Sequence, residues 1–169
     1  MGIDRIKFTG IKEGDYAVEA GESYVGGSPA AININGHLVK AKYGTLAASK
    51  TDSTAVSYVG VFVNTSGVDG VQIESKATYY AGPTFVTFTK LLLSANNANK
   101  NAFGGAGVAD DDYPYDHALT FAPKDLLFID TNGKWTNVNP ASTPCFGVVL
   151  AVGTNFITVQ LYGGPTANF

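Results

Sequence analysis

Ala31-Ile32-Asn33-Ile34-Asn35-Gly36-His37-Leu38-Val39-Lys40-Ala41-Lys42-Tyr43 is the stretch that decides the fold class. Asn35-Gly36 lies between two runs of strand-forming residues, which is the strongest short-range signal for a β-hairpin. Leu38, Lys40 and Lys42 alternate with Val39, Ala41 and Tyr43, the period of a half-buried strand. The two runs, Ala31–Ile34 and Leu38–Tyr43, are read as paired strands.

Working outward, the same grammar recurs along the chain. Strands are expected at Ile3–Phe8, Val56–Val63, Val68–Glu74 and Thr84–Leu93. Five more are expected at Leu119–Phe121, Leu126–Asp130, Lys134–Val138, Phe146–Val152 and Phe156–Tyr162. Short β-forming runs separated by turn residues are the pattern of a sandwich or barrel. A short helix over Leu91–Lys100 is the one helical alternative, and its asparagines weaken it. The expected fold is all-β: a small β-barrel or β-sandwich with an extended N-terminal arm and one long loop. Residues 1–35 are the arm and first strand, 36–163 the barrel or sandwich, and 164–169 a tail. Gly10–Ala31 is rich in Gly, Ser, Ala and Glu. It reads either as a frayed terminus or as an arm whose Tyr16, Val18, Tyr24 and Val25 dock on a neighbour, its removal leaving the fold intact. The loop, 94–118, is polar and glycine-rich, and loops of that length are usually functional or disordered.

The two halves echo each other. Leu38 to Gly60 and Leu126 to Gly147 have nearly the same spacing, and each ends in a strand opening with Gly-Val: Gly60-Val61 and Gly147-Val148. A glycine there permits a bend or bulge in a strongly coiled sheet.

Composition narrows the function classes. The 169 residues suit one domain, and 45% are hydrophobic, enough for a core at this size. Only 15% are charged, against roughly 25% in an average globular protein. Such a surface is either ordinary and neutral or covered by a partner. The net charge of −3 and the absence of a basic run argue against direct nucleic-acid binding. No apolar run approaches the ~20 residues needed to span a membrane, and the N-terminus has no signal-peptide core. The chain therefore reads as made and folded in a reducing cytoplasm. Its single cysteine, Cys145, sits in an apolar context and reads as a buried thiol.

Chemistry is sparse. His37 and His117 have no third group tied to them, and no Gly-x-Ser-x-Gly elbow, Cys-x-x-Cys, His-Glu-x-x-His or P-loop is present. No enzyme, cofactor or resident metal is expected. Asp110-Asp111-Asp112 with Asp116 and His117 is the best cation candidate, but it lacks EF-hand spacing, and acidic loop clusters are ordinarily solvated. Its neighbours Phe103, Tyr113 and Tyr115 point instead to a contact loop, because tyrosine is favoured at interfaces. The partner-binding candidates are thus Tyr16, Tyr24, Phe103, Tyr113 and Tyr115.

Lys124-Asp125-Leu126-Leu127, Phe146-Gly147-Val148-Val149-Leu150 and Ile157-Thr158-Val159-Gln160-Leu161-Tyr162 together resemble the head decoration (cement) proteins of tailed bacteriophages. Gly36-His37-Leu38-Val39 and Val59-Gly60-Val61 repeat the pattern less well. The resemblance covers about half the chain; the arm and the 94–118 loop lie outside it. It implies a virion structural protein that binds the outer surface of an expanded capsid. Its partner would be the major capsid protein, whose subunits it bridges, and the chain would form a homo-oligomer, a trimer being favoured. A carbohydrate- or receptor-binding β module of a phage fibre or tail is the alternative.

Overall fold

The computed structural model describes residues 6–46, 56–67, 72–89, 114–116, 119–140, 144–153 and 156–166. These residues form nine strands and no helix. They are β1 (Ile6–Ala17), β2 (Pro29–Ile32), β3 (Leu38–Lys40), β4 (Ser57–Phe62), β5 (Lys76–Thr89), β6 (Leu126–Ile129), β7 (Trp135–Thr136), β8 (Cys145–Val152) and β9 (Phe156–Thr166). The sheet runs β3-β2-β4-β5-β9-β8-β6-β7, with β1 also on β5, and curls into a half-barrel. All named strand pairs are antiparallel.

β5 organises the sheet. Its residues Tyr79–Ala81 pair with β4, and Thr84–Thr89 pair with β9. β1 runs along both parts, from Ile6 opposite Phe88 to Ala17 opposite Lys76. A strand has only two edges, so β4 and β9 share the edge that β1 leaves free. Gly82-Pro83 falls between them, where the β1 register also slips. The sequence pattern ends a strand at such a pair; here the pair is a kink inside one long strand, and tertiary pairing on both sides carries the strand through it. The strand expected at Val68–Glu74 lies partly outside the described residues, and its described part, 72–74, is not strand.

The N-terminal segment belongs to the body. Ile6–Ala17 is a strand in the sheet, and beyond it Tyr24 and Ala30 are buried. Removing residues 1–30 would strip β1 and these core side chains. The segment has strand character because its polar and apolar residues are held by the β5 ladder, a non-local partner that composition does not reveal.

The echo between the halves is a structural repeat, in a different register from the one that spacing suggests. The hairpin β2–β3 matches β6–β7, β4 matches β8, and the start of β5 matches β9. At one constant offset, Ile32-Asn33-Ile34-Asn35-Gly36-His37-Leu38 aligns with Ile129-Asp130-Thr131-Asn132-Gly133-Lys134-Trp135. The turns are bonded identically. Asn33 Oδ1 accepts the amides of Asn35 and His37 at 3.0 and 3.0 Å, and Asp130 Oδ1 accepts those of Asn132 and Lys134 at 2.8 and 2.9 Å. Gly36 and Gly133 both take positive φ, 77° and 79°, at the left-handed position of a three-residue hairpin loop. The preceding segments match too. Glu19 N–H donates to Leu38 O as Asp116 N–H does to Trp135 O, and Gly27 N–H donates to Phe62 O as Lys124 N–H does to Val149 O. Gly60 and Gly147 remain equivalent, each paired at the same position with both neighbouring strands. Leu38, however, matches Trp135, and Leu126 matches Pro29.

Packing follows the repeat. The smaller core cluster is Val18, Tyr24, Ala30, Leu38, Phe62, Ala77 and Tyr79. Their counterparts Tyr115, Phe121, Leu127, Trp135, Val149, Ile157 and Val159 all lie in the larger cluster. There they are joined by residues of the first unit, including Ala31, Ala41, Val61, Val86 and Phe88. The inner face of the second unit is thus covered by the first. Trp135 is fully buried and its Nε1–H donates to Gly27 O at 2.8 Å, which satisfies the one polar atom of the indole.

Two substitutions test this account. A Cβ on Gly147 would collide with Gln160 O and lie 2.9 Å from Leu161 Cδ2. Gly147→Ala should therefore lower stability by about 3 kcal/mol in denaturant titration, the upper range for overpacking. Lys124 stands where the first unit has Gly27, and both have positive φ, 77° and 91°. A side chain there costs roughly 1–2 kcal/mol, so Lys124→Gly should raise stability by up to about 1 kcal/mol; a loss would contradict the equivalence.

Candidate interaction surface

The residues singled out by sequence separate in the fold. Tyr24 is buried and stacks on Phe62, with ring centroids 3.8 Å apart. Tyr115 is buried against Phe88 and Phe121, at 5.6 and 5.8 Å. Both rings lie in the chain's own core. Tyr16 is 36% exposed and meets Tyr79 edge-on at 5.7 Å. Phe103 and Tyr113 lie outside the described residues, as do Asp110, Asp111, Asp112 and His117. The structure therefore brings no two of the five candidates together on a described surface.

What it assembles instead is a sheet face. Paired residues of antiparallel strands share a face. Phe85 on β5 is opposite Gln160 on β9, which is opposite Val148 on β8, which is opposite Leu126 on β6. The next row runs from Thr87 through Thr158 to Ala151, with the two threonine hydroxyls 3.1 Å apart. Phe156 and Leu150 complete the patch, Leu150 turned outward at the β8 bulge between Val149 and Ala151. Phe85, Leu150 and Phe156 are exposed by 47, 42 and 41%. None of these nine residues is charged. The inward neighbours Val86, Phe88, Ile157, Val159 and Leu161 are buried, so the face is rigidly backed by the main core.

The signal for this face is present in the sequence. In Thr84-Phe85-Val86-Thr87-Phe88-Thr89 and Phe156-Ile157-Thr158-Val159-Gln160-Leu161 the outward positions carry Phe, Thr and Gln, not Lys or Glu. An exposed apolar patch on a rigid sheet is a feature of protein contact sites.

β1 adds a second feature. Among the described residues it pairs only with β5, so one edge of a 12-residue strand carries no partner strand. Exposed edges of this length are templates for another strand.

The chemical groups form a structural device. Glu19 Oε2 lies 2.9 Å from His37 Nδ1 and accepts from Asn33 Nδ2 at 2.7 Å. This three-residue network ties the Asn33–His37 turn to the segment before β2. Sequence spacing did not link Glu19 to His37, because the contact forms only after the hairpin closes. Tyr58, between the units, packs its ring on Trp135 and Phe146 at 6.2 and 4.8 Å. Its hydroxyl is buried without a hydrogen-bond partner among the described residues, and burial pushes the phenol's pKa well up. Among the described residues no group of three or more His, Cys, Asp or Glu is placed to hold a metal ion, and no helix is long and apolar enough to cross a membrane. Cys145 is buried.

Comparison with models of known protein families, with curated proteins and with solved structures finds no match.

The Glu19 network predicts a pH response. The Asn33 hydrogen bond first, and then the His37 contact, hold the Glu19 carboxyl below its ordinary value of 4.5. A depressed acid contributes stability above its unfolded pKa and loses it as pH falls through its folded pKa. In a carboxyl NMR titration Glu19 should titrate below the usual glutamate range, and Asn33→Ala should move it back up. An unshifted midpoint in that variant would contradict the assignment.

Proposed function

We propose that this chain is a virion structural protein, a capsid decoration protein that binds the outside of an expanded capsid and stabilises it by bridging major capsid subunits. The observation that carries the reading is the uncharged outer face of β5, β9 and β8, with Phe85, Leu150 and Phe156 exposed on a rigid sheet. A face of this kind buries apolar area on a partner with little desolvation cost. The edge of β1 that has no partner strand among the described residues supports the same reading, since a capsid strand can extend the sheet there by main-chain hydrogen bonds. The low charge content of the whole chain, 15%, supports a surface that is covered in its working state.

The mechanism is mechanical. Each copy adds buried area across a subunit boundary and so opposes the separation of capsomers when packaged DNA presses outward. Modest contacts at many symmetric positions become collectively strong. No catalytic step is required. The chain acts as a bound clamp, located on the virion's outer surface and assembled from the host cytoplasm.

The test is addition of the purified protein to bare expanded capsids of the virus that encodes it. Binding should saturate, and the temperature of capsid disruption should rise. Phe85→Asp places a charge in the middle of the uncharged face and should weaken binding at least tenfold while leaving the melting curve of the free protein in place. Absence of binding by the unmodified protein would overturn the proposal. Retention on a glycan array that is lost in Phe85→Asp would favour a sugar-binding module instead.

A further inference from the structure

The chain contains two Asn-Gly pairs, Asn35-Gly36 and Asn132-Gly133, and they hold equivalent places in the two units. An asparagine before glycine is open to attack on its side-chain amide by the glycine's backbone nitrogen, because no Cβ hinders the approach. Local bonding is the same at both pairs. Asn33 O accepts the Gly36 amide at 3.0 Å, and Asp130 O accepts the Gly133 amide at 3.3 Å. The Oδ1 atoms of Asn33 and Asp130 accept the amides on either side of each glycine. Both glycines have positive φ, 77° and 79°, and both asparagines are exposed. Neither the dipeptide nor the turn's own geometry separates the two sites.

Packing does separate them. Gly36 is exposed, and a Cβ built on it would meet nothing within 4 Å. Gly133 is buried, and a Cβ there would stand 3.1 Å from Ala41 O and 3.1 Å from both Cγ and Cδ of Lys40. Asp130 O also accepts the Tyr43 amide at 2.8 Å, which pins the second turn to the first unit. Ring closure requires the asparagine side chain and the following peptide to rotate together, and so requires the turn to open locally. At Gly36 no packed neighbour opposes that rotation. At Gly133 the contacts with Lys40, Ala41 and Tyr43 must be given up first.

We infer that Asn35 is a site of spontaneous covalent modification, and that the seating of the second unit on the first protects Asn132 from the same reaction. The Gly36 nitrogen forms a bond to Asn35 Cγ, the Cγ–Nδ2 bond breaks, and ammonia leaves with the proton that the Gly36 nitrogen gives up. Water then opens the cyclic imide at one of its two carbonyls, with no change of oxidation state. One opening leaves aspartate at position 35. The other leaves isoaspartate, whose main chain runs through Cβ and Cγ and is one carbon longer. That carbon spoils the register of a three-residue loop in which Asn33 Oδ1 meets the amides of residues 35 and 37. Asn33 is then no longer held against Glu19, whose carboxylate it bonds at 2.7 Å in the intact turn. The inference stands on the comparison of the two turns and not on the capsid reading.

Incubation of the full chain in mildly alkaline buffer, followed by peptide mapping with mass spectrometry, tests it. In the folded protein Asn35 should lose its amide faster than Asn132 by about tenfold or more. In denaturant the packing is gone, and the two rates should converge. The isoaspartate product should accept a methyl group from an isoaspartyl methyltransferase at position 35. In that product the Glu19 carboxyl should titrate nearer its ordinary value of 4.5. Asn35→Asp adds the charge without the extra carbon and should leave Glu19 low. Equal rates in the folded protein, or faster loss at Asn132, would overturn the inference. So would a ratio that persists in denaturant, since it would then belong to the preceding residues Ile34 and Thr131 and not to the packing. An unmoved Glu19 in the isoaspartate product would overturn the opening of the turn. No capsid is present in this experiment, so its failure leaves the proposed function standing.

Discussion

The buried hydrogen bond from Trp135 Nε1 to the Gly27 carbonyl is the fixed point of the molecule. An indole N–H left unpaired in a core costs about 1–3 kcal/mol, so the ring has one orientation in which it is both buried and satisfied. That orientation seats the second unit on the first. It brings Tyr58 and Phe146 into ring contact, and it turns the inner faces of β6, β8 and β9 onto the first unit. The first unit makes room with small residues. Ala31 and Ala41, both fully buried, share one core cluster with Trp135 and Phe146 of the second unit. Two copies of one backbone plan with different side-chain volumes thus form one core.

The same division sorts the surfaces. The inward residues of β5 and β9 hold the units together, so the outward ones are released from any packing duty. They nonetheless stay uncharged, with phenylalanine and leucine exposed among threonine and glutamine. A strand face turned permanently to water ordinarily carries Lys or Glu, which also discourages unwanted association. Their absence from the outward positions of β5, β9 and β8, with Lys7 of the neighbouring β1 opposite Thr87, is what supports the proposed partner-covered surface.

The sequence made some of this legible for physical reasons. Asn35-Gly36 announced a hairpin because a left-handed turn position is a local requirement, and Gly60 and Gly147 announced equivalent strands because close strand approach excludes a side chain. The register of the repeat was not legible from spacing. Ala30-Ala31-Ile32 and Leu127-Phe128-Ile129 share a backbone role but not volume, and the connection from β3 to β4 is longer than that from β7 to β8. β5 was read only from Thr84 because Gly82-Pro83 breaks local periodicity, whereas pairing with β1, β4 and β9 holds the strand together across it. Tyr24 and Tyr115 sit in segments that look like exposed loops, yet each folds back on its own unit's sheet and becomes core. The outer face was present in the alternation of β5 and β9, but its rows depend on register between strands far apart in sequence.

The central claim is that this uncharged face meets a capsid. Electron cryomicroscopy of expanded capsids incubated with the protein tests it most directly. The account predicts added density on the outer surface, spanning a boundary between major capsid subunits, with β5, β9 and β8 turned toward the shell. Capsids without added density, or with that sheet face turned to solvent, would contradict it.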